Sequence, residues 1–202
     1  VRVARAYQKW YPSLHLRYTA TQNLLLRASI STSGARPSLG ALVPNTTVSY
    51  LTDGSGLGRV AQNNPGLKPQ FTRNYDFSAE YYLEPAGVLS AGAFRKDISN
   101  FISNSTVTIG DGPNNGFNGG YEDFDLTTTG NLGTAFAEGV ELSYSQQLRN
   151  LPRPLNRMSV FANFTGLRTR GSYANGAGEL ANFVPRTYNI GLNFIWRRFE
   201  SR

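Results

Sequence analysis

The sequence predicts an all-β protein in which antiparallel strands follow one another in the wall of a transmembrane β-barrel. Three observations predict this class. Residues 184–196 alternate strictly between large apolar and mostly small polar side chains, as a strand with two different faces does. No run reaches the 18 or so apolar residues that a membrane helix requires. The connections between strand candidates are short and long in turn, as they are in membrane barrels.

Seven segments have the length and pattern of strands. The chain contains 12 Phe, 11 Tyr and 21 Gly, and no Ala- and Glu-rich stretch with helical periodicity. We therefore expect a meander of seven to eight strands. In chain order the segments are residues 12–19, 24–32, 72–83, 88–102, 134–148, 157–169 and 184–196.

Four of these segments divide cleanly into an apolar and a polar face. In the first, Leu14, Leu16 and Tyr18 oppose His15 and Arg17, which places the two basic residues on the lumen side of a barrel. The apolar groups of the other three are Tyr75, Phe77, Ala79 and Tyr81; Val140, Leu142 and Tyr144; and Tyr188, Ile190, Leu192, Phe194 and Trp196.

Segments 88–102 and 157–169 alternate less clearly. Phe94 and Phe161 share faces with polar residues. We interpret these two rings either as marking a bulge or as lumen-facing aromatic side chains.

The lengths of the connections predict which rim each one occupies. Residues 20–23, 84–87 and 149–156 are short, whereas the other connections have about 39, 31 and 14 residues. Outer-membrane barrels have short periplasmic turns and long external loops, and long structureless loops are uncommon in compact soluble domains. We therefore expect the long connections outside the cell. They are residues 34–70, 103–133 and 171–183.

Composition excludes several kinds of site. The chain has no Cys and a single His, His15, so thiolate chemistry and multi-histidine metal sites have no basis. The formal charge of +7 comes from scattered Lys and Arg residues, so we predict no nucleic-acid partner. We predict no cofactor, no metal and no enzymatic activity.

Several spaced motifs together resemble the TonB-dependent outer-membrane receptor family. The motifs follow the family's order of strand, turn and strand, and the likeness extends from about Pro12 to Arg198. They are LRYTATQNLLLRASISTSGARPSLGAL (16–42), NPGLKPQFTRNYDFSAEYYLEPAGVLSAGAFRKDISNFI (64–102), GVELSYSQQL (139–148) and VFANFT (160–165).

The resemblance implies a roughly 22-stranded barrel around a plug domain, in the outer membrane of a Gram-negative bacterium. It implies three partners: outer-membrane lipid, the TonB energy-coupling complex, and a scarce nutrient such as a ferric siderophore, a corrinoid or an oligosaccharide. Residues 1–202 are then an internal fragment of the barrel domain, without the plug and the closing strands.

Candidate ligand contacts lie in an acidic loop and on the lumen face. Aromatic rings stack on siderophore or sugar rings, and arginine pairs with anionic groups. The candidates are Tyr121, Glu122, Asp123, Phe124 and Asp125 in the loop, and Arg17 and Arg27 in the lumen.

Two other functional classes fit parts of the pattern. One is a small, complete outer-membrane barrel that acts as an adhesin or structural protein, and it requires closure at about eight strands. The other is a secreted, carbohydrate-binding β-sandwich, whose strands also alternate. The sandwich does not explain the alternation of short and long connections.

Overall fold

The computed structural model describes residues 8–173, 176–196 and 199–201. These residues form thirteen strands. In chain order they are β1 (Ser13–Thr19), β2 (Leu24–Ala35), β3 (Thr46–Tyr50), β4 (Gly58–Gln62), β5 (Gln70–Leu83), β6 (Gly87–Ser99), β7 (Ile102–Thr108), β8 (Asp125–Asn131), β9 (Thr134–Gln147), β10 (Met158–Tyr173), β11 (Gly176–Gly178), β12 (Arg186–Trp196) and β13 (Phe199–Ser201).

Helical structure is limited to two short turns in this part of the chain. Helix α1 spans Leu39–Leu42, and the Ser38 side chain accepts a hydrogen bond from the Ala41 amide at its start. A 3₁₀ turn covers Leu155–Arg157. Neither has the length or hydropathy of a membrane-crossing helix.

The main sheet, which we call the wall, is an antiparallel meander. Its strand order is β1-β2-β5-β6-β9-β10-β12-β13, and β11 pairs with β10. All seven predicted segments are present as β1, β2, β5, β6, β9, β10 and β12, so the predicted all-β meander is confirmed. The boundaries differ by up to four residues: β2 and β10 extend to Ala35 and Tyr173. Strand β6 ends early, at Ser99, where Asn100 adopts a left-handed backbone with a φ of 54°.

The register of the wall places the apolar side chains on one face. Paired residues of neighbouring strands share a face, and Leu16, Ala28, Phe77, Ala93 and Val140 form one continuous row. Large apolar groups on this face stay exposed to the surroundings, up to 81% for Ile190. An uncovered apolar sheet face of this size is suited to lipid rather than water.

The two ambiguous aromatics lie on the polar face. The register of β6 and β10 with their neighbours is continuous, so no bulge interrupts them. Phe94 is the cross-strand partner of Gly139, and Phe161 is the partner of Gly191. Each ring occupies the space that a side chain on its partner would fill. Phe94 and Phe161 are therefore inward-facing aromatics that cover glycines.

A second sheet, which we call the loop sheet, corrects the expectation that the long connections lack strands. Its order is β3-β4-β8-β7, with β4 and β8 parallel. A buried apolar cluster of Val60, Ile109 and Phe124 lies in it, and Val48 and Leu126 pack against that cluster. Sequence inspection missed these strands because they are short, and because the pair that joins them, β4 with β8, brings together residues as distant in sequence as Arg59 and Asp125.

We expect Gly139→Ala to destabilise the wall. A Cβ at Gly139 would meet the Gly166 carbonyl oxygen and lie 2.8 Å from the Phe94 ring, and such overpacking typically costs about 1 to 3 kcal/mol. The matched control is Gly92→Ala on the same face, where the nearest atom would be 3.6 Å away. The free energy of unfolding of the intact membrane protein, from denaturant titration, should fall only for Gly139→Ala. Equal losses for both variants would contradict this account.

Candidate ligand-capture surface

Side-chain amides attach the loop sheet to one end of the wall. The Asn131 amide group donates to the carbonyl oxygens of Lys68 and Asn100, at 2.9 Å each, and accepts from the Lys68 amide at 2.8 Å. Asn64 donates to the Thr129 carbonyl at 2.9 Å. These bonds connect the two long connections to each other and to the start of β5. The two connections therefore form one structural unit at this rim.

The acidic loop begins with a tight backbone turn. Tyr121 and Asp123 adopt left-handed backbones, with φ values of 57° and 61°. The Asp123 amide donates to the Ile109 carbonyl, and the Phe124 amide donates to the Tyr121 carbonyl. This turn directs Phe124 into the loop sheet and leaves its neighbours at the surface.

Phe124 is a core residue of the loop sheet. Its side chain is 5% exposed, and its ring meets the Tyr50 ring edge-to-face at a centroid distance of 5.5 Å. A Cβ at Gly58 would lie within 2.5 Å of the Phe124 ring, so only glycine fits at this position of β4. Phe124 therefore supports the acidic loop from beneath.

The other four residues of the predicted loop set remain accessible. Tyr121 packs against Phe117 at 5.6 Å and keeps 37% of its surface exposed. Glu122 accepts a hydrogen bond from the Gly112 amide at 3.2 Å. Asp123 and Asp125 are exposed. The loop thus presents one aromatic ring and three carboxylates to its surroundings.

The neighbouring hairpin tip also keeps a negative charge. The Ser55 hydroxyl donates to Asp53 at 2.6 Å, and the Ser55 amide donates to it at 3.0 Å. These hydrogen bonds, the hydroxyl's first, lower the pKa of the Asp53 carboxyl below its ordinary value. The Asp53 carboxylate therefore keeps its charge to a lower pH than an ordinary aspartate does.

The predicted lumen arginines lie side by side on the polar face of the wall. Arg17 and Arg27 are direct register partners on β1 and β2. Arg27 forms an ion pair with Glu80, which also accepts a hydrogen bond from the Tyr82 hydroxyl at 2.8 Å. Arg17 has an exposed side chain. A depression of about 370 Å³ adjoins both arginines and includes His15, Asp76, Phe94 and Glu141.

The two predicted sets lie at opposite ends of the wall. Arg17 and Arg27 are close to the short connection at residues 20–23, whereas the loop sheet is attached at the far ends of β5 and β6. From Arg27 to Ala35, β2 alone extends about 26 Å. One small ligand cannot touch both sets at once. The two sets are therefore separate groups of residues at different heights of the wall.

Sequence reasoning missed the residues that organise the loop sheet and the acidic loop. Tyr50, which covers Phe124, and Asn131, which links the connections, belong to segments with no strong period-two pattern. A Gly-rich stretch hid the role of Asn115, which donates to the Gly110 and Gly120 carbonyls and accepts from the Phe117 amide. The sequence signal that could have indicated this role is an Asn within a Gly-rich loop, because its side-chain amide can donate to and accept from the loop backbone.

Known structures share this architecture. The ferric enterobactin receptor PfeA of Pseudomonas aeruginosa, as its G324V mutant, is 22% identical with a TM-score of 0.66, over 94% of this chain and 26% of that chain. The siderophore receptor PirA of Acinetobacter baumannii is 17% identical with a TM-score of 0.67, over 94% of this chain and 27% of that chain. The copper transporter OprC is 18% identical with a TM-score of 0.62, over 92% of this chain and 24% of that chain.

At these identities the likeness shows a shared fold, and this chain spans about a quarter of each structure. None of the curated proteins compared with the chain matches it. The family model described as TonB dependent receptor-like, beta-barrel, matches residues 1–201. Since that match covers almost the whole sequence and agrees with the meander, the chain belongs to the TonB-dependent receptor-like β-barrel family.

Proposed function

We propose that this chain is part of the wall and of the external ligand-capture surface of an outer-membrane receptor. The receptor binds a scarce nutrient outside the cell and takes it up with energy from the TonB complex. The observation that carries this proposal is the loop sheet, in which two long connections form one unit at one rim of a wall with an apolar outer face. The family consists of receptors and transporters of the Gram-negative outer membrane.

Residues 1–202 then form an internal part of a larger barrel, with the plug and the remaining strands elsewhere in the protein. Support comes from the solved structures, of which the chain covers about a quarter. Strand β1 is also bonded on one edge only within the described residues. An open edge of this kind requires a further strand in a lipid environment.

A ferric siderophore is the substrate class we favour over a corrinoid or an oligosaccharide. The similar structures include PfeA, named as a ferric enterobactin receptor and also solved as its R480A mutant in complex with enterobactin, and PirA, named as a siderophore receptor. In this chain, Tyr121 offers a partly exposed ring for stacking at the outer rim, flanked by Glu122, Asp123 and Asp125. Arg17 offers an exposed positive charge deeper in the lumen, whereas the charge of the neighbouring Arg27 is balanced by Glu80.

Tyr121→Ala should weaken binding of ferric enterobactin to the intact receptor about twofold to thirteenfold. Loss of one stacked ring costs about 0.5 to 1.5 kcal/mol, and Phe124 still supports the loop. Fluorescence quenching on purified receptor measures the Kd. The matched control is Tyr188→Ala, which removes an exposed tyrosine from the outer apolar face and should leave the Kd unchanged.

Measuring the accumulation of labelled siderophore in cells separates binding from transport. Cells without the inner-membrane energy-coupling complex should bind the labelled siderophore but not accumulate it. Accumulation that persists in such cells would refute energised uptake. Absence of binding to the wild-type receptor would refute the substrate class.

Cysteine labelling tests the proposed topology. These 202 residues contain no Cys, so Leu39→Cys in a long connection and Leu151→Cys in a short one each add one thiol to this part of the receptor, and both leucines are exposed. The unsubstituted receptor gives the background labelling. An impermeant thiol reagent on whole cells that express the full receptor should label only position 39. Permeabilised cells should show both. Labelling of position 151 alone on whole cells would reverse the topology.

Arginine substitutions test the lipid-facing side. Ile190→Arg places a charge on the exposed apolar face and should cost about 2 to 4 kcal/mol near the membrane midplane, whereas Asn189→Arg on the opposite face should cost much less. The measurement is the free energy of folding of the full receptor into lipid vesicles. Similar costs for both variants would show that this face does not meet lipid.

A further inference from the structure

The two edges of the loop sheet differ in how far they are occupied. At the β7 edge, the Ile102 amide donates to the Gln70 side chain at 3.3 Å. The adjacent Phe101 ring meets the Tyr173 ring of β10 edge-to-face at a centroid distance of 6.0 Å. At the other edge, β3 pairs with β4 alone among the described strands. The β3 edge is therefore the open side of the loop sheet.

The alternation of hydrogen bonds identifies the backbone groups that face this open edge. In an antiparallel pair, every second residue bonds to the partner strand, and the residues between direct their N–H and C=O groups the other way. The Asn63 amide donates to the Asn45 carbonyl at 3.0 Å. The Leu51 amide donates to the Leu57 carbonyl at 2.8 Å. The odd-numbered residues of β3 thus bond to β4. The residues that face the open edge are Thr46, Val48 and Tyr50.

The open edge lacks the charges, prolines and bulges with which natural sheets keep their edge strands from pairing. Residues 46–50 read TTVSY, without a charged residue or a proline. Their register with β4 is continuous, without a bulge. An edge of this kind is suited to pairing with another extended segment.

The open edge lies on the β1 side of the loop sheet. Strands β3 and β4 come from the connection between β2 and β5, and β7 and β8 come from the connection between β6 and β9. The order β3-β4-β8-β7 therefore runs in the same direction as the wall order β2-β5-β6-β9. Since the β7 end contacts β10 through Phe101, the β3 edge faces the side of β1.

The chain also enters β1 from the loop-sheet rim. Ser13, the first residue of β1, pairs near the end of β2 that leads into the first long connection. The Thr32 amide of β2 donates to the Pro12 carbonyl at 3.0 Å. The Tyr11 ring lies 6.4 Å from the Phe71 ring of β5. The residues that lead into β1 are thus held against the end of β2, where the chain leaves for β3.

We propose that the external connection that leads into β1 adds a strand to the open edge of β3. The loop sheet already joins two connections in this way, because β4 and β8 belong to different connections and pair with each other. The proposal rests on the larger barrel proposed above, in which a further strand lies beyond β1 and the connection between the two reaches this rim. The added strand lies beside Tyr50, which covers Phe124 beneath the acidic loop. Three connections then support the capture surface.

Hydrogen exchange on the intact receptor in lipid nanodiscs tests this pairing. With residue-resolved mass spectrometry, the amides of Val48 and Tyr50 should exchange as slowly as those of Thr47 and Ser49, which bond to β4. An edge that stays open in the receptor would instead give alternation, with Val48 and Tyr50 fast and the other two slow. That alternation would overturn the proposal.

Removal of the connection identifies the occupant of the edge. Replacement of the connection that leads into β1, up to Gln8, by a short Gly-Ser turn should speed exchange at Val48 and Tyr50 on the order of tenfold or more. Exchange at Thr47 and Ser49 should not change. Amides of Val48 and Tyr50 that stay slow would overturn the proposal. A doubled mass in native mass spectrometry would then assign the edge to a second copy, and an unchanged mass to another segment of the same receptor.

Two adjacent proline substitutions give a matched control that leaves the connection intact. Thr46→Pro removes an amide that faces the open edge and spares the bonds between β3 and β4, whereas Thr47→Pro removes an amide that bonds to β4. Thr46→Pro should speed exchange at Val48 about tenfold and leave Ser49 slow. Thr47→Pro should speed exchange at Ser49 as well. No change at Val48 in Thr46→Pro, or equal acceleration of Ser49 in both variants, would contradict the proposal.

Two further measurements on the same samples separate this proposal from the proposed function. By the same alternation, the amides of His15 and Arg17 face the open edge of β1. If they exchange slowly while Val48 and Tyr50 exchange fast, the larger barrel stands and the added strand fails. If Val48 and Tyr50 are slow but the receptor does not bind ferric enterobactin, the substrate class fails and the added strand stands.

Discussion

The structure depends on an unbroken backbone ladder. In lipid no water is available to satisfy a free amide or carbonyl group, so every strand of a membrane wall must bond to its neighbours along its length. The register of β5, β6, β9 and β10 is continuous across all of their paired residues. A continuous register determines which face each side chain occupies. The apolar outer face and the polar inner face both follow from it.

The same constraint explains how bulky rings fit the inner face. A bulge would release Phe94 from the polar face, but it would also leave a backbone group unpaired. Glycine at the cross-strand position avoids this, because Gly139 leaves room for the ring while the ladder continues. Gly191 serves Phe161 in the same way. Phe94 and Phe161 therefore lie on the polar face without any break in the alternation of faces along their strands.

Beyond the wall, the chain buries its apolar side chains in a core, as water-soluble proteins do. The loop sheet has a small buried cluster around Val60 and Phe124, and its short strands include a parallel pair. Charge also divides by position. Carboxylates at Glu122 and Asp123 are exposed beside the loop sheet, whereas Arg73 and Arg170 are exposed on the outer face of the wall. One rim therefore presents two chemically different surfaces.

The sequence by itself determined the wall: its seven main strands, their faces, and the family that the spaced motifs resemble. Period-two alternation is a local property, so it is legible without any partner strand. The family match and the meander also decide between the barrel and the sandwich that alternation alone permits. The inward position of Phe94 required the register, because one strand does not reveal what faces it.

Only the tertiary structure decided the loop sheet and the separation of the candidate site residues. Strands β4 and β8 pair across the intervening wall strands, and Asn131 reaches back to Lys68. No local pattern encodes such contacts, because they depend on where the wall brings its connections together. The same long-range packing buries Phe124, which the sequence suggested as a ligand contact, and leaves Tyr121 beside it at the surface.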